Sequence, residues 1–72
     1  MSAHARRRAR RWAITEQELS EALGNRESER LGDQPGRLVV MGITSVGRRL
    51  KIVVAVDDQK YVITCAAQGW RR

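Results

Sequence analysis

Two residues near the start of the chain are spaced for proton transfer beside a phosphate group. His4 is the chain's only histidine, and imidazole gains and loses a proton near neutral pH. Arg8 follows four positions later, so a helix would place both side chains on one face. A guanidinium can hold a phosphate while an imidazole moves a proton. The pair predicts acid–base chemistry on a phosphodiester, with His4 and Arg8 as candidate catalytic residues; an isolated surface histidine is the alternative.

The distribution of charge predicts a negatively charged partner. The net charge is +6, and twelve of the fourteen basic residues are arginine, which suits bidentate phosphate contacts. Residues 1–14 carry +5, residues 15–33 carry −4 and residues 34–72 carry +5. Nucleic acid is the expected partner, and an acidic protein surface or no such partner are the alternatives. The basic clusters are residues 6–11, 48–51 and 71–72, and the candidate nucleic-acid-binding residues are Arg6, Arg7, Arg11, Arg49, Lys51 and Thr64.

Other kinds of site have little support. One histidine and one cysteine cannot form a zinc cage, and the sequence has no glycine-rich phosphate loop, so we expect no metal or cofactor. Cys65 has no partner for an internal disulfide, which favours a reducing, cytoplasmic location. No apolar run approaches the roughly 20 residues of a membrane span, and no membrane partner is expected.

Two helices must position the N-terminal residues. Thr15 and Glu18 form a capping-box pattern, which predicts a helix over residues 15–24 that ends at Gly24. A preceding helix is predicted over residues 2–12, capped by Ser2. It would pack through a narrow seam of Ala5, Ala9 and Trp12.

After the helices, the apolar pattern changes to a period of two. Strands are predicted over residues 37–45, 48–56 and 60–66. Residues 25–36 are predicted to form a loop, with at most a short strand near residues 29–31. The expected fold is α+β, with two N-terminal helices packed on an antiparallel sheet of three or four strands.

Two-residue turns at Val46-Gly47 and Asp57-Asp58 would set the strand register. In that register the helices cover Val39, Met41, Ile43, Leu50, Ile52, Val54, Tyr61, Ile63 and Cys65. The opposite face would carry an exposed apolar patch. Either a helix crosses the patch, or it is a partner-binding surface, for example for a second copy of the chain; the patch is formed by Leu38, Val40, Val53 and Val62, with Ala55 beside them.

Three segments resemble a known family. They read HARRRARRWAIT, GRLVVMGITSVGRRLKIVVAV and YVIT. Together they resemble a bacterial family of small domains of unknown function related to the BrnT toxins, which have a RelE-like ribonuclease fold. The family often has an arginine where this chain has Trp12. The resemblance covers about residues 4–65 and rests on His4, Ala5, Arg8, Ile14, Gly36, Gly47 and residues 62–64.

The resemblance implies a RelE/BrnT-like toxin of a type II toxin–antitoxin system. Such a toxin would cleave RNA without a metal and would be neutralised by an antitoxin protein. A non-catalytic nucleic-acid- or protein-binding module on the same fold is the alternative, and an inactive toxin relative is another. Catalysis requires His4 and Arg8 beside the same phosphate, whereas binding requires only charge.

Overall fold

The fold is α+β, as predicted, with four strands. The computed structural model describes residues 1–70, except for the side chain of Trp70. Its strands form one antiparallel sheet in the order β1-β2-β3-β4. The two helices pack on one face of this sheet, and the other face is open. The elements are α1 (Ala3–Arg11), α2 (Glu16–Gly24), β1 (Arg26–Leu31), β2 (Arg37–Ile43), β3 (Arg48–Ala55) and β4 (Val62–Trp70).

Helix α1 contains the N-terminal arginines, and its start is attached to β4. The Ser2 hydroxyl accepts a hydrogen bond from the Ala5 amide at 3.0 Å and donates one to the Ile63 carbonyl at 2.8 Å. Ala5 and Ala9 are buried against the sheet. The two alanines of the predicted seam therefore pack on the sheet and let α1 approach β4 closely, whereas Trp12, the third predicted member, is exposed.

The junction between the helices is compact. Ala13 adopts a left-handed backbone conformation (φ 52°) at the end of α1, and the Ile14 amide donates back to the Ala9 carbonyl at 2.7 Å. This is a Schellman-type ending with alanine at the position where glycine is usual. The predicted capping box of Thr15 and Glu18 then starts α2.

The core lies between the helices and the central strands. Leu50, Ile52 and Val54 of β3 are fully buried, as predicted. Gly42 of β2 lies directly under α2, where a Cβ atom would overlap the Ala22 carbonyl oxygen. A glycine at this position is therefore a condition for α2 to reach the sheet.

The predicted register of β2 is wrong by one residue. Gly42, not Ile43, pairs with Leu50. The turn contains three residues rather than two, because the Thr44 amide bonds to the Arg48 carbonyl at 2.9 Å and Gly47 takes a positive φ of 86°. Three-residue hairpin loops ending in a left-handed glycine are a common alternative to two-residue turns. The extra loop residue moves every side chain of β2 to the opposite face.

The second hairpin also differs from the prediction. Its connection spans residues 56–61, and β3 pairs with β4 through irregular positions, so that Ile52 opposes Cys65 and Val54 opposes Val62. Tyr61 was predicted in the core but is 43% exposed in the loop. Cys65 is buried, as its place in the pattern predicted.

The polar segment after α2 forms a full edge strand. Strand β1 pairs with β2 along Arg26–Leu31 and contains a bulge between Arg26 and Ser28. Its side chains are mostly exposed, so the strand has no apolar alternation by which a sequence pattern could reveal it. Backbone pairing with β2 is what orders it.

Candidate nucleic-acid interface

The predicted apolar contact patch is not at the surface. Leu38, Val40 and Val62 are buried in the domain's own core, at 8%, 0% and 3% exposure. The register shifts in β2 and β4 turn these side chains toward the helices. Of the four predicted partner-binding residues, Val53 alone lies on the open face, where it is half-buried.

The open face carries a groove that joins α1 to the sheet, here named the Trp12 groove. Its volume is about 200 Å³. Arg8 reaches it from α1 and Trp12 from the C-cap of α1, while Lys51 and Thr64 reach it from β3 and β4. The structure therefore brings together three of the predicted site residues: Arg8, Lys51 and Thr64. The remaining lining residues are Val53, Cys65 and Ala66.

A second groove continues across the sheet toward β1. Its volume is about 240 Å³, and it shares Lys51 and Val53 with the Trp12 groove. Arg30 and Arg37 supply its other cations, and the buried Val39 forms part of its floor. We call the two grooves together the basic sheet face. The second groove is lined by Arg30, Asp33, Gln34, Arg37, Val39, Lys51 and Val53.

Four cations on the basic sheet face have no partner in the described part of the chain. Arg8, Arg30, Arg37 and Lys51 take part in none of the ion pairs or side-chain hydrogen bonds found there. Long cationic side chains of this kind can cover apolar surface with their stems while their charged ends stay in water. Such a surface attracts anions and leaves the cations available to bind them.

Two arginines next to this face, Arg48 and Arg49, form ion pairs within the domain. Arg48 binds Glu18 at 3.2 Å and also donates to the Trp12 and Ala13 carbonyls, so it joins β3 to the helix junction. Arg49 lies on the open face, but its Nε is 3.4 Å from Glu27 Oε1. The prediction that Arg49 binds phosphate is weakened because the neighbouring carboxylate offsets its charge.

The remaining predicted basic residues do not join the grooves on the open face. Arg6 lines a separate groove between α1 and α2. Arg7 and Arg11 are exposed on α1 and line neither groove of the basic sheet face. Arg71 and Arg72 lie outside the described residues. The expected contribution of Arg6, Arg7 and Arg11 is therefore limited to general electrostatic attraction.

His4 is exposed on α1, one turn before Arg8. The helical spacing puts its side chain in the same row as Arg8 and Trp12. It does not line the Trp12 groove itself. The structure thus supports the predicted common row for His4 and Arg8.

The titratable groups with shifted pKa values are Glu18, Glu21 and Cys65, and none of them lies beside His4 in the sequence. The Thr15 amide, with Arg48 beside it, lowers the pKa of the Glu18 carboxyl, although partial burial opposes the change. The Ser45 amide and hydroxyl lower the pKa of Glu21. Burial raises the pKa of the Cys65 thiol, which keeps it protonated despite the nearby Arg8. Cys65 is therefore a core residue and a poor nucleophile.

Sequence reasoning missed Arg30 and Arg37 as site residues because the strand that orders Arg30 had no apolar pattern. It also treated Trp12 only as packing. A signal for Trp12 was available, since it lies three residues before Thr15, where the capping box starts α2, and therefore at the end of α1.

Comparison with protein-family models, with curated proteins and with solved structures yields no match. No helix within residues 1–70 is long and apolar enough to cross a membrane. In the same part of the chain, no three His, Cys, Asp or Glu side chains lie close enough to hold a metal ion.

Proposed function

We propose that this protein binds RNA on the basic sheet face. The observation that carries the proposal is the convergence of four unpaired cations around two connected grooves. The grooves run across the four strands from β4 to β1, a distance of about 14 Å at an interstrand spacing of about 4.8 Å. A nucleic-acid backbone presents repeated negative charges over such a distance. The choice of RNA over DNA follows from the family resemblance.

The acidic side chains of the helices lie on α2, which carries Glu16, Glu18 and Glu21. Helix α1 packs on the same side of the sheet and carries five arginines. The helix-covered side is therefore of mixed charge, and the arginines of α1 add to the attraction of a polyanion by the basic sheet face.

The test is the affinity of a fluorescein-labelled decauridine for wild type and two lysine variants. Lys51 and Lys60 are the chain's only lysines, and Lys60 lines a different groove beside α2. We expect Lys51→Ala to weaken binding about three- to tenfold at low salt, while Lys60→Ala changes it little. Equal losses in both variants would refute the basic sheet face as the binding site.

RNA cleavage is a second candidate, which the common helical row of His4 and Arg8 favours. In a type II toxin, the imidazole would transfer a proton at the scissile phosphate and the guanidinium would hold that phosphate. An antitoxin that blocks the basic sheet face would need an acidic surface. His4→Ala should slow cleavage by about 10²- to 10⁴-fold without lowering RNA affinity. A folded His4→Ala protein that cleaves at the wild-type rate would exclude this role.

A further inference from the structure

Trp12 is placed for a role beyond packing. Its side chain remains 40% exposed, and it lines the Trp12 groove beside Arg8, Lys51 and Thr64. An indole that served only to cover β4 would gain most by being buried. Here an aromatic face, two cations and a hydroxyl surround the same groove.

The backbone of Trp12 is held from two sides. Its amide donates to the Arg8 carbonyl at 3.0 Å, and its carbonyl accepts from the Arg48 guanidinium. Arg48 is itself bound to Glu18 at 3.2 Å. The base of the side chain is therefore fixed before any ligand arrives, which lowers the entropy lost on binding.

We propose that the Trp12 indole stacks on an unpaired base while Arg8 and Lys51 hold the neighbouring phosphates. This inference rests on the proposed function and names its substrate class as single-stranded RNA. Bases in a duplex are already stacked on one another, and a protein reaches a duplex mainly through its phosphates and 2′-hydroxyls. Aromatic stacking is the usual means by which proteins bind single strands with little sequence preference.

The experiment compares decauridine with a ten-base-pair RNA duplex. Trp12→Leu keeps an apolar side chain over β4 but removes the stacking face. We expect it to weaken decauridine binding roughly 5- to 150-fold, the range for loss of one stacked base, and to leave duplex binding unchanged. Trp12→Tyr should retain most of the affinity. Urea unfolding of each variant verifies that it is folded.

Tryptophan fluorescence tests the stacking without requiring that the Trp12→Leu variant be folded. The chain contains two tryptophans, Trp12 and Trp70, so Trp70→Phe leaves Trp12 as the only indole. Decauridine should quench the emission of Trp70→Phe. Emission of Trp70→Phe that decauridine leaves unchanged would overturn the proposal.

The outcomes separate this inference from the proposed function. If wild type binds decauridine and Trp12→Leu binds it equally well, the stacking role is wrong and the basic sheet face still stands. The same conclusion follows if duplex binding falls as much as single-strand binding. If wild type binds neither RNA at low salt, both proposals fail.

Discussion

Arg48 and Arg49 are adjacent arginines in different environments. Replacing each of them by alanine should therefore lower the free energy of unfolding by very different amounts. Arg48 contacts Glu18 and two backbone carbonyls, and its side chain is only 16% exposed. Arg49 has one ion-pair partner, and its side chain is 43% exposed. The register of β3 places the first beside the helix junction and the second on the open face.

The structure allows these costs to be estimated. A hydrogen bond to a charged group contributes about 1.5–3 kcal/mol. After a discount for partial exposure of Arg48 and Glu18, we expect Arg48→Ala to cost about 2–3 kcal/mol. Exposed ion pairs contribute about 0–1 kcal/mol, which is the expected cost of Arg49→Ala. A domain of this size has a free energy of unfolding of about 4–11 kcal/mol.

Urea denaturation followed by circular dichroism measures both costs. Arg48→Ala should lower the midpoint with little change in the slope of free energy against urea, and should lower Tm by roughly 10–20 °C. Arg49→Ala should lower Tm by less than about 8 °C. Equal losses, or a larger loss in Arg49→Ala, would refute the assignment of Arg48 to the helix junction.

Three further predictions follow from the fold. Gly42→Ala should cost about 3 kcal/mol or more, because the added methyl group overlaps the Ala22 carbonyl; a urea midpoint within error of wild type would contradict the observed register. Ala13→Gly should stabilise the protein by roughly 0.5–1 kcal/mol, since it relieves a left-handed alanine, and thermal melts will show whether Tm rises. Because their folded-state pKa values are lowered, Glu18 and Glu21 stabilise the protein at neutral pH, and this contribution is lost as the pH falls through those values, below 4.5. The urea midpoint should therefore fall in acid, and less steeply in the Glu18→Gln, Glu21→Gln double variant.

Local signals in the sequence predicted the helices well. The capping box at Thr15 and Glu18 involves residues three apart, and it forms as expected. The alternation within β3 likewise identified Leu50, Ile52 and Val54 as core, because both neighbours of β3 are strands of the same sheet. These predictions succeeded because they depend on contacts close in sequence or on a single period.

The pairing of β2 could not be obtained in the same way. Its run of apolar residues fits either face of the sheet, so the turn length alone decided the register. The presence of Gly42 could have resolved the ambiguity, since a glycine between apolar residues marks a close backbone approach. Because of this error in register, Leu38 and Val40 were predicted on an exposed patch, whereas they lie in the core.

The candidate site was predicted in part. Lys51 and Thr64 were placed on the open face correctly because β3 and the middle of β4 followed the expected alternation. The positions of Arg30 and Arg37 on the basic sheet face depend on the pairing of β1 with β2 and on the loop between these strands. That arrangement is non-local, and no short pattern in the sequence indicates it.

The salt dependence of decauridine affinity tests the basic sheet face most directly. If Arg8, Arg30, Arg37 and Lys51 each neutralise one phosphate, the logarithm of the binding constant should fall against the logarithm of salt concentration with a slope of about −2.8. Affinity would then fall roughly 50-fold between about 50 and about 200 mM salt. Lys51→Ala should reduce the slope to about −2.1, while Lys60→Ala leaves it at the wild-type value. A wild-type slope near zero, or the same slope in wild type and Lys51→Ala, would contradict the account.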